Sequence, residues 1–511
     1  MRKLTLLKNA VILTVTSFIL RTFGMVVRLY VSNKIGAEGM GLYQLIISIY
    51  VLASTFVTAG VRTTIIRLVT DAIARRESNG NIRKIMIKAT IISLIVSVFA
   101  IFLFYFLAEP ISIYFLKDER CILSIKILVL VLPFLAVESC CKGYFLAKRR
   151  VTFNSLAQLF EQFVRIVFLF IFLEVWGKES LESVCMLIIL SDMISEAASC
   201  MFVYLKYRKE TKNFNPKGHN GFKLSEFFDI SFPVALDKYI TSILKTIENI
   251  LIPNMLTIYT MSRELSLSQF GYLKGMALPL IFFPASFLTA ISTLLIPEAS
   301  EAKVLKQTGK ITKLVERIIQ FTLGAGIIIA MIFFVYSKEI GNVFYKTDEI
   351  AFYIKWLAPI IPFMYLESAI SGMMQGLNQQ RKALKYNVID SVLRISLILL
   401  VLPKYGISGF LLIMYISNIT TSMLNLIRLL KVSKTKFNFN FWLLKPVLAS
   451  FASIVFEEIV FKYITVANII LNIVLRISAI AFSYILLLFL FGIIEKEHIE
   501  KVLYRRKAKY V

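Results

Sequence analysis

Histidine is almost absent from this sequence of 511 residues, which contains only His219 and His498. Both lie in polar segments, so no histidine-based metal centre or acid–base pair can be assembled, and hydrolytic metalloenzymes are excluded. Cysteine is also scarce, and none of the five shows the C-x-x-C spacing of metal or redox sites. The G-x-x-x-x-G-K-[ST] loop of nucleotide hydrolases is missing. We therefore predict no metal site, no cofactor and no enzymatic activity.

Apolar residues are abundant and make up 58% of the chain, against about 45–50% in soluble domains. Apolar runs of about twenty residues, long enough to cross a bilayer, recur along the sequence. The first begins near Ala10 and is followed by no small-residue cleavage site, so we interpret it as a retained helix. The pattern predicts an all-α integral membrane protein with about fourteen transmembrane helices.

Positive charge is concentrated in alternate loops. Lys and Arg number 58 against 32 Asp and Glu, and they gather in segments such as 148–150 and 206–217. The intervening loops are poor in cations, which is the positive-inside pattern. It predicts a multi-pass protein of the bacterial inner membrane with both termini in the cytoplasm. The net charge of +26 is thus a topology signal, and we predict no nucleic-acid partner.

An internal repeat divides the chain. Residues 133–166 align without a gap to residues 362–395 at an offset of 229, and an offset of 230 pairs Gly41 with Gly271. Six helices separate the copies, so both enter the membrane in the same orientation and form a parallel repeat. We predict two pseudo-symmetric six-helix lobes with two further helices. Their bounds are 1–222 for helices 1–6, 223–440 for helices 7–12, and 441–511 for helices 13–14 and a basic cytoplasmic tail.

Several ionisable residues lie within the apolar segments, where a charge costs about 2.5–3.5 kcal/mol and usually faces a bundle interior. Two pairs, Glu161 with Arg165 and Asp390 with Arg394, have the i,i+4 spacing of a helical ion pair. Glu138 and Glu367 each follow a proline by five residues, and could either close buried polar networks or line a transport path. The predicted buried polar residues are Glu138, Glu161, Arg165, Glu367, Asp390 and Arg394.

Two arginines of helix 1 form a different pattern. Arg21 and Arg28 are seven residues apart, so they share a helix face with Gly24 between them, and they have no acidic neighbour on that helix. A guanidinium group binds phosphate oxygens in a bidentate manner, which favours contact with an anionic ligand. Cations of the second half would complete a positive cavity suited to a sugar pyrophosphate. The candidate substrate-binding residues are Arg21, Gly24, Arg28, Arg62, Lys238, Lys245, Glu248 and Lys274.

Three segments resemble a known group of transporters: SFILRTFGMVVRLYVSNKIGAEGMGLYQL, PFLAVESCCKGYFLAKRRVTFNSLAQLFEQFVRI and QFGYLKGMALPLIFFPASFLTAISTLLIPEASEA. They resemble the stage V sporulation protein B group of polysaccharide-type exporters. This group belongs to the multidrug/oligosaccharidyl-lipid/polysaccharide exporter superfamily, which includes bacterial lipid II flippases. The resemblance implies two six-helix lobes, alternating access and two extra C-terminal helices.

The resemblance also implies residue roles. It implies that the helix 1 arginine contacts the substrate pyrophosphate, and it matches Glu161 and Arg165 to the motif E-Q-x-V-R-I and Glu248 to a helix 7 carboxylate. Two positions depart from the group's pattern. Arg62 stands where proline is expected, and Lys274 stands where a small polar residue is expected. Both add positive charge near the expected cavity, so they affect the prediction of the cargo and leave the prediction of the fold unchanged.

These features favour an alternating-access flippase that moves an undecaprenyl-pyrophosphate-linked glycan, such as a peptidoglycan precursor for spore cortex, from the inner to the outer leaflet. Three alternatives stay open: a cation-coupled multidrug antiporter of the same fold, a membrane-embedded glycan polymerase or acyltransferase, and a non-transporting scaffold. The membrane potential, H⁺ or Na⁺ would drive transport. The expected partners are a lipid-linked oligosaccharide, membrane lipids and cell-wall synthesis proteins, and the expected state is a monomer.

Overall fold

A computed structural model describes residues 2–176, 180–214, 224–463 and 468–493. These residues contain no β-strand and form seventeen α-helices. The helices are α1 (Arg2–Thr58), α2 (Val61–Ala74), α3 (Asn79–Pro110), α4 (Cys121–Leu128), α5 (Leu132–Ala147), α6 (Val151–Val175), α7 (Leu181–Thr211), α8 (Leu224–Thr260), α9 (Arg263–Phe270), α10 (Leu278–Val304), α11 (Thr308–Val335), α12 (Ser337–Tyr345), α13 (Glu349–Leu357), α14 (Ile361–Gly376), α15 (Gln380–Ser433), α16 (Lys445–Phe461) and α17 (Ile469–Leu490). Short π-helices cover Ile111–Leu116, Gly271–Ala277 and Asn440–Leu444, and 3₁₀ turns cover Val129–Val131 and Ala358–Ile360.

The two longest helices are bent at glycine. Gly36 in α1 has φ 66° and ψ −171°, and Gly406 in α15 has φ 57° and ψ −143°. Because a positive φ strains residues that carry a Cβ, glycine allows the chain to turn at these points. Helices of 57 and 54 residues would be about 85 and 80 Å long, far more than the roughly 30 Å of a bilayer core. Each is therefore long enough for more than one crossing.

Nine helical runs of the described residues have the length and composition to cross a membrane. Two of these runs, Thr14–Ala74 and Gln380–Ser433, are the ones that contain the bent helices. The predicted all-α membrane architecture is confirmed. The number of fourteen crossings stays a prediction.

The internal repeat is present in the backbone. The 3₁₀ turn and helix α5 of the first half recur, residue for residue, as the 3₁₀ turn before α14 and α14 itself, 229 positions later. Left-handed residues that end helices recur at the same offset: Lys117 with Lys346, and Arg149 with Asn378. The two halves therefore follow the same local path where the sequence alignment pairs them.

The chain separates into two compact units. One comprises Met1–Met276 and Ser391–Phe410, and the other comprises Ala277–Asp390 and Leu411–Val511. The first has a core in which α2, α3 and α5 pack around residues such as Ile65. The second has a core in which α11 and α14 pack around residues such as Ile319. The lobe bounds 1–222, 223–440 and 441–511 stay a prediction.

In the first unit, α1 crosses the α9 segment at two glycines. A Cβ built on Gly41 would lie 2.1 Å from the carbonyl oxygen of Leu267, and one built on Gly271 would lie 1.8 Å from that of Ala37. Backbones approach this closely only where both helices carry small residues. Gly271 begins a π-helix, so this contact fixes the start of the irregular turn that carries Lys274.

In the second unit, α16 and α17 are joined to the end of α11 by a buried carboxylate. Glu457, which is 1% exposed, accepts a hydrogen bond from the hydroxyl of Tyr336 at 2.7 Å. The same carboxylate pairs with the guanidinium of Arg476 at 2.9 Å. A buried acid with a donor on each side is fully compensated, so Glu457 and its two partners tie α16 and α17 to α11.

Candidate functional site: two intramembrane charge clusters

The first cluster starts on α5. Glu138 and Lys142 are one helical turn apart, both are buried, and their charged atoms lie 2.7 Å from each other. The hydroxyl of Ser199 on α7 donates a hydrogen bond to Glu138. Lys142 also lies 4.0 Å from Glu161 of α6. Lys142 therefore connects the carboxylates of two helices.

Arg165 continues this cluster from α6 to α7. Its guanidinium lies 3.2 Å from Glu161, the i,i+4 pair that the spacing predicts, and 2.8 Å from Asp192. The hydroxyl of Tyr43 donates to Asp192 at 3.0 Å, and that of Tyr50 donates to Glu196 at 3.4 Å. The kinked α1 thus supplies phenolic donors to the acids of α7.

A cavity of about 260 Å³ opens beside these residues. Oxygens from the carboxylates of Glu138, Glu161 and Glu196 lie within 4.8 Å of one another there. We call this group the three-carboxylate cluster. The lining residues are Tyr50, Ser54, Thr58, Arg62, Leu135, Glu138, Ser139, Lys142, Glu161 and Glu196.

The second cluster has the opposite balance of charge. Glu248 of α8 is 4% exposed and lies 3.3 Å from the ammonium of Lys274 and 3.2 Å from the guanidinium of Arg394. Both cationic side chains are 21% exposed. We call these residues the cationic trio, because two cations meet at one carboxylate.

The structure places the other predicted residues of the first half as follows. Arg21 is exposed and Arg28 is half-buried on α1, and neither forms an ion pair with a residue that the structure describes. A Cβ on Gly24 would have nothing within 4 Å. Arg62 is exposed in the first turn of α2 and lines the cavity. Only Arg62 of these four therefore reaches the three-carboxylate cluster.

The remaining predicted residues belong to the second half. Lys238 and Lys245 are exposed on α8. Glu367 is half-buried on α14, and Asp390 on α15 accepts a hydrogen bond from the hydroxyl of Ser417 at 2.5 Å. The pairing of Asp390 with Arg394 stays a prediction.

Sequence reasoning missed several members of the first cluster, among them Lys142, Tyr43 and Tyr50. Lys142 lies four residues after Glu138, so the helical spacing could have indicated the pair. Tyr43 and Tyr50 gave no comparable signal, because their contacts with α7 join residues 149 and 146 positions apart. Such contacts depend on how α1 bends at Gly36.

Sequence comparison identifies the family. The family described as "Polysaccharide biosynthesis protein" matches residues 6–303, more than half of the chain. The chain belongs to this family. The family described as "MatE" matches residues 240–400 of the same chain.

Individual relatives agree with this family. Stage V sporulation protein B of Bacillus subtilis (strain 168) is 26% identical over 515 residues, covering 98% of each chain. Lipid II flippase MurJ of the same organism is 22% identical over 425 residues, covering 77% of this chain and 76% of its own.

A solved structure shows the same fold. Lipid II flippase MurJ in an inward closed conformation matches with a TM-score of 0.70 at 16% identity, and the match covers 93% of this chain and 98% of that one. The resemblance to the stage V sporulation protein B group is therefore confirmed, and this polysaccharide biosynthesis protein is a multi-pass helical membrane protein.

The two clusters differ in the ligands that they favour. In the low dielectric of a membrane protein, an uncompensated charge is costly and attracts a counter-ion strongly. The cationic trio places two cationic, partly exposed side chains beside one carboxylate, which suits the oxygens of an anionic headgroup. The three-carboxylate cluster has the reverse character.

Proposed function

We propose that this polysaccharide biosynthesis protein is an alternating-access flippase that moves an undecaprenyl-pyrophosphate-linked glycan from the inner to the outer leaflet. A peptidoglycan precursor is the proposed cargo, with spore cortex as the process that uses it. The observation that carries the proposal is the cationic trio, in which Glu248 holds the ammonium of Lys274 and the guanidinium of Arg394 close together on partly exposed side chains. The named relatives, a lipid II flippase and a sporulation protein, support the same cargo class.

Glu248 has a positioning role in this mechanism. Two cations that approach one carboxylate at 3.2 and 3.3 Å would repel each other without it. With it, the ammonium and the guanidinium stay fixed and keep exposed donors for a ligand. A diphosphate can then accept a bidentate contact from Arg394 and a point-charge contact from Lys274, as these two side chains commonly provide.

Arg21 and Arg28 extend this anion path along helix 1. They lie on one face of α1 before its bend at Gly36, and the structure describes no carboxylate paired with either. Unpaired cations within a membrane helix are costly unless a ligand or water compensates them. We assign Arg21 and Arg28 to contacts with the diphosphate at a different stage of transport from its contact with the cationic trio, either earlier or later.

The membrane potential assists this direction of transport. Moving one negative charge outward across a membrane that is negative inside gains about 2.3 kcal/mol per 100 mV. A cationic drug would gain nothing from this movement and would be repelled by the cationic trio. The charge of this site thus favours the flippase over the multidrug antiporter of the same fold.

The test is translocation of fluorescent lipid II in proteoliposomes that contain the full-length protein. We expect Arg21→Ala, Arg28→Ala and Lys274→Met each to reduce the initial rate by about tenfold to a hundredfold. This range corresponds to the loss of one hydrogen bond to a charged group, about 1.5–3 kcal/mol. The matched control is Arg67→Ala, which removes an exposed cation of α2 that contacts neither cluster.

Two outcomes would contradict the proposal. The first is that the intact protein leaves lipid II in its original leaflet but exchanges cationic dyes, which would transfer the assignment to the antiporter. The second is that the three variants move lipid II as fast as Arg67→Ala does, which would leave the flippase activity but remove these cations from its mechanism.

A further inference from the structure

We propose that Asn254 and Arg263 form a latch that fastens the outer end of α3 to α8 and α9, and that this latch must open before cargo can leave to the outer leaflet. We call these two residues the α3 latch. Its part in transport rests on the proposed function, whereas the closure itself does not. Both residues lie in the same compact unit as α3.

The α3 latch binds carbonyl groups at the end of a helix. α3 continues directly into the π-helix Ile111–Leu116, and the helical path ends there. The side-chain amide of Asn254 donates a hydrogen bond to the carbonyl of Phe115 at 2.7 Å, and the guanidinium of Arg263 donates to the carbonyl of Leu116. Arg263 also donates to the side-chain oxygen of Asn254 at 3.1 Å, so the two latch residues act together.

The end of a helix favours donors of this kind. The last carbonyls of a helix have no partner within it, and the helix dipole places partial negative charge there. A guanidinium group is therefore attracted by charge as well as by hydrogen bonding. The partners are 139 and 147 residues apart, so the latch connects the first half of the repeat to the second.

The turn that follows α3 is stabilised by other contacts. Arg120 pairs with Asp118 at 2.8 Å and with Glu38 of α1 at 2.7 Å, and the backbone N–H of Asp118 donates to the carbonyl of Ser112 at 3.0 Å. All of these residues belong to the first half. The α3 latch is thus not needed to form the turn, and its effect is to hold α8 and α9 against it.

Polar side chains lie where α8 packs on α1. The hydroxyl of Thr246 donates to the carbonyl of Ser48 at 3.3 Å, and the amide of Asn249 donates to the hydroxyl of Ser48 at 3.0 Å. Among the described residues, the buried Nε2 of Gln44 on α1 and the buried hydroxyl of Ser242 on α8 have no hydrogen-bond partner. Water would satisfy such atoms if α8 moved away from α1, whereas an apolar boundary would lose favourable burial. This boundary is therefore suited to opening.

The guanidinium of Arg263 is not fully satisfied in the closed arrangement. Its Nε is buried and has no hydrogen-bond partner in the part of the chain that the structure describes. Buried donors of a permanent contact are usually paired. Release of Arg263 costs less than release of a fully paired guanidinium, because water can then bind the remaining donor.

The predicted topology places the α3 latch on the outer side of the membrane. Residues 109–120, which include the end of α3, contain three acids and two cations, whereas residues 206–217 contain five cations and one acid. The cation-poor segment is expected outside by the positive-inside rule. While the latch is closed, α8 and α9 stay against the first half at this face, and exit of the cargo between them is blocked.

The test measures from which side of the membrane the boundary between α1 and α8 can be reached. Thr246→Cys places a thiol at this boundary, because Thr246 is 5% exposed and contacts Ser48. A charged, membrane-impermeant maleimide is added to the full-length protein in right-side-out or inverted vesicles without lipid II. The labelling rate of the same variant without Thr246→Cys is subtracted, which corrects for the five buried natural cysteines.

We expect Arg263→Ala to raise the labelling rate from the outside about tenfold to a hundredfold, as for the loss of one hydrogen bond to a charged group. Labelling from the inside should stay equal or fall, because a larger outward-open fraction leaves less of the closed form. Asn254→Ala should act in the same direction. Arg263→Lys should lie between Arg263→Ala and the intact protein, because an ammonium keeps the charge but lacks the planar fork. The matched control is Glu264→Gln, which neutralises an exposed acid at the next residue of α9.

The proposal is overturned if Arg263→Ala and Asn254→Ala are labelled from the outside no faster than Glu264→Gln. It is also overturned if labelling rises equally from both sides, because the bundle would then have loosened as a whole. Lipid II assays separate this failure from that of the flippase. Outside labelling that depends on the latch, in a protein that does not move lipid II, would retain the latch and remove the cargo. Movement of lipid II by a protein whose labelling is independent of Asn254 and Arg263 would retain the cargo and remove the latch.

Discussion

The close contact between Gly41 and Gly271 gives the sharpest prediction for stability. A methyl group on Gly41 would lie 2.1 Å from the carbonyl oxygen of Leu267, whereas side-chain carbons in proteins essentially never approach within 3.0 Å. The two backbones must therefore separate by about 1 Å. Overpacking of this kind costs typically 1–3 kcal/mol, and a clash with backbone belongs at the upper end.

Gly24 on the same helix is the matched control. A Cβ at this position meets nothing within 4 Å. Alanine there gains up to about 1 kcal/mol of helix propensity without a clash. At Gly41 the same gain offsets part of the cost and leaves a net destabilisation of about 2 kcal/mol. The free energies of unfolding of the two variants should differ by about 3 kcal/mol, a factor of more than a hundred in the unfolding equilibrium.

The assay measures thermal unfolding of the purified full-length protein in detergent, as the fraction of protein that stays monodisperse after heating. Gly24→Ala should unfold at or above the midpoint of the intact protein, and Gly41→Ala clearly below it. Combining Gly41→Ala with Gly271→Ala should cost less than the sum of both, because one separation relieves both clashes. Equal midpoints for Gly24→Ala and Gly41→Ala would refute the close approach of the two backbones.

Two further predictions concern the buried charges. Glu248→Gln should destabilise the protein by about 2–4 kcal/mol, because it leaves Lys274 and Arg394 without their shared anion. In a double-mutant cycle, adding Lys274→Met should restore part of this loss. If the changes in the unfolding midpoint were strictly additive, the residues of the trio would not be coupled. Glu457→Gln should lower the unfolding midpoint, because it breaks the contacts of this carboxylate with Tyr336 and Arg476. Glu458→Gln, at the next residue, supplies the control. Equal proteolysis of α16 and α17 in both variants would contradict the role of Glu457 in anchoring these two helices.

The fold was predictable where it depends on local or repeated sequence. The pairing of residues 133–166 with 362–395 anticipated that α5 and α14 begin and end 229 residues apart. The spacing of Glu161 and Arg165 anticipated their ion pair in the same way, because both residues lie on one helix. Patterns of this kind need only the period of the helix and the comparison of the chain with itself.

The candidate site was predictable only in part, because its contacts cross between helices. Arg394 was predicted to pair along its own helix, and the structure adds a contact with Glu248, 146 residues away. Lys142 was overlooked although it is central to the first cluster. The bend at Gly36 decides which tyrosines of α1 reach α7, and a hydrophobic pattern gives no bend angle. The chemistry of each side chain was visible in the sequence, but its neighbours were not.

Gly41 and Gly271 are also equivalent residues of the repeat, at the offset of 230, and they meet each other. In a dimer of two identical half-length chains, this contact would be isologous, with one glycine facing its own copy. Any substitution nearby would then enter the interface twice. Joining the halves in a single polypeptide removes that constraint, because each side can change alone. The position three residues onward shows the result: Gln44 on one side corresponds to Lys274 on the other, and only the lysine reaches Glu248. Duplication and fusion thus allow a symmetric scaffold to carry an asymmetric charge, which a pair of identical subunits could not do.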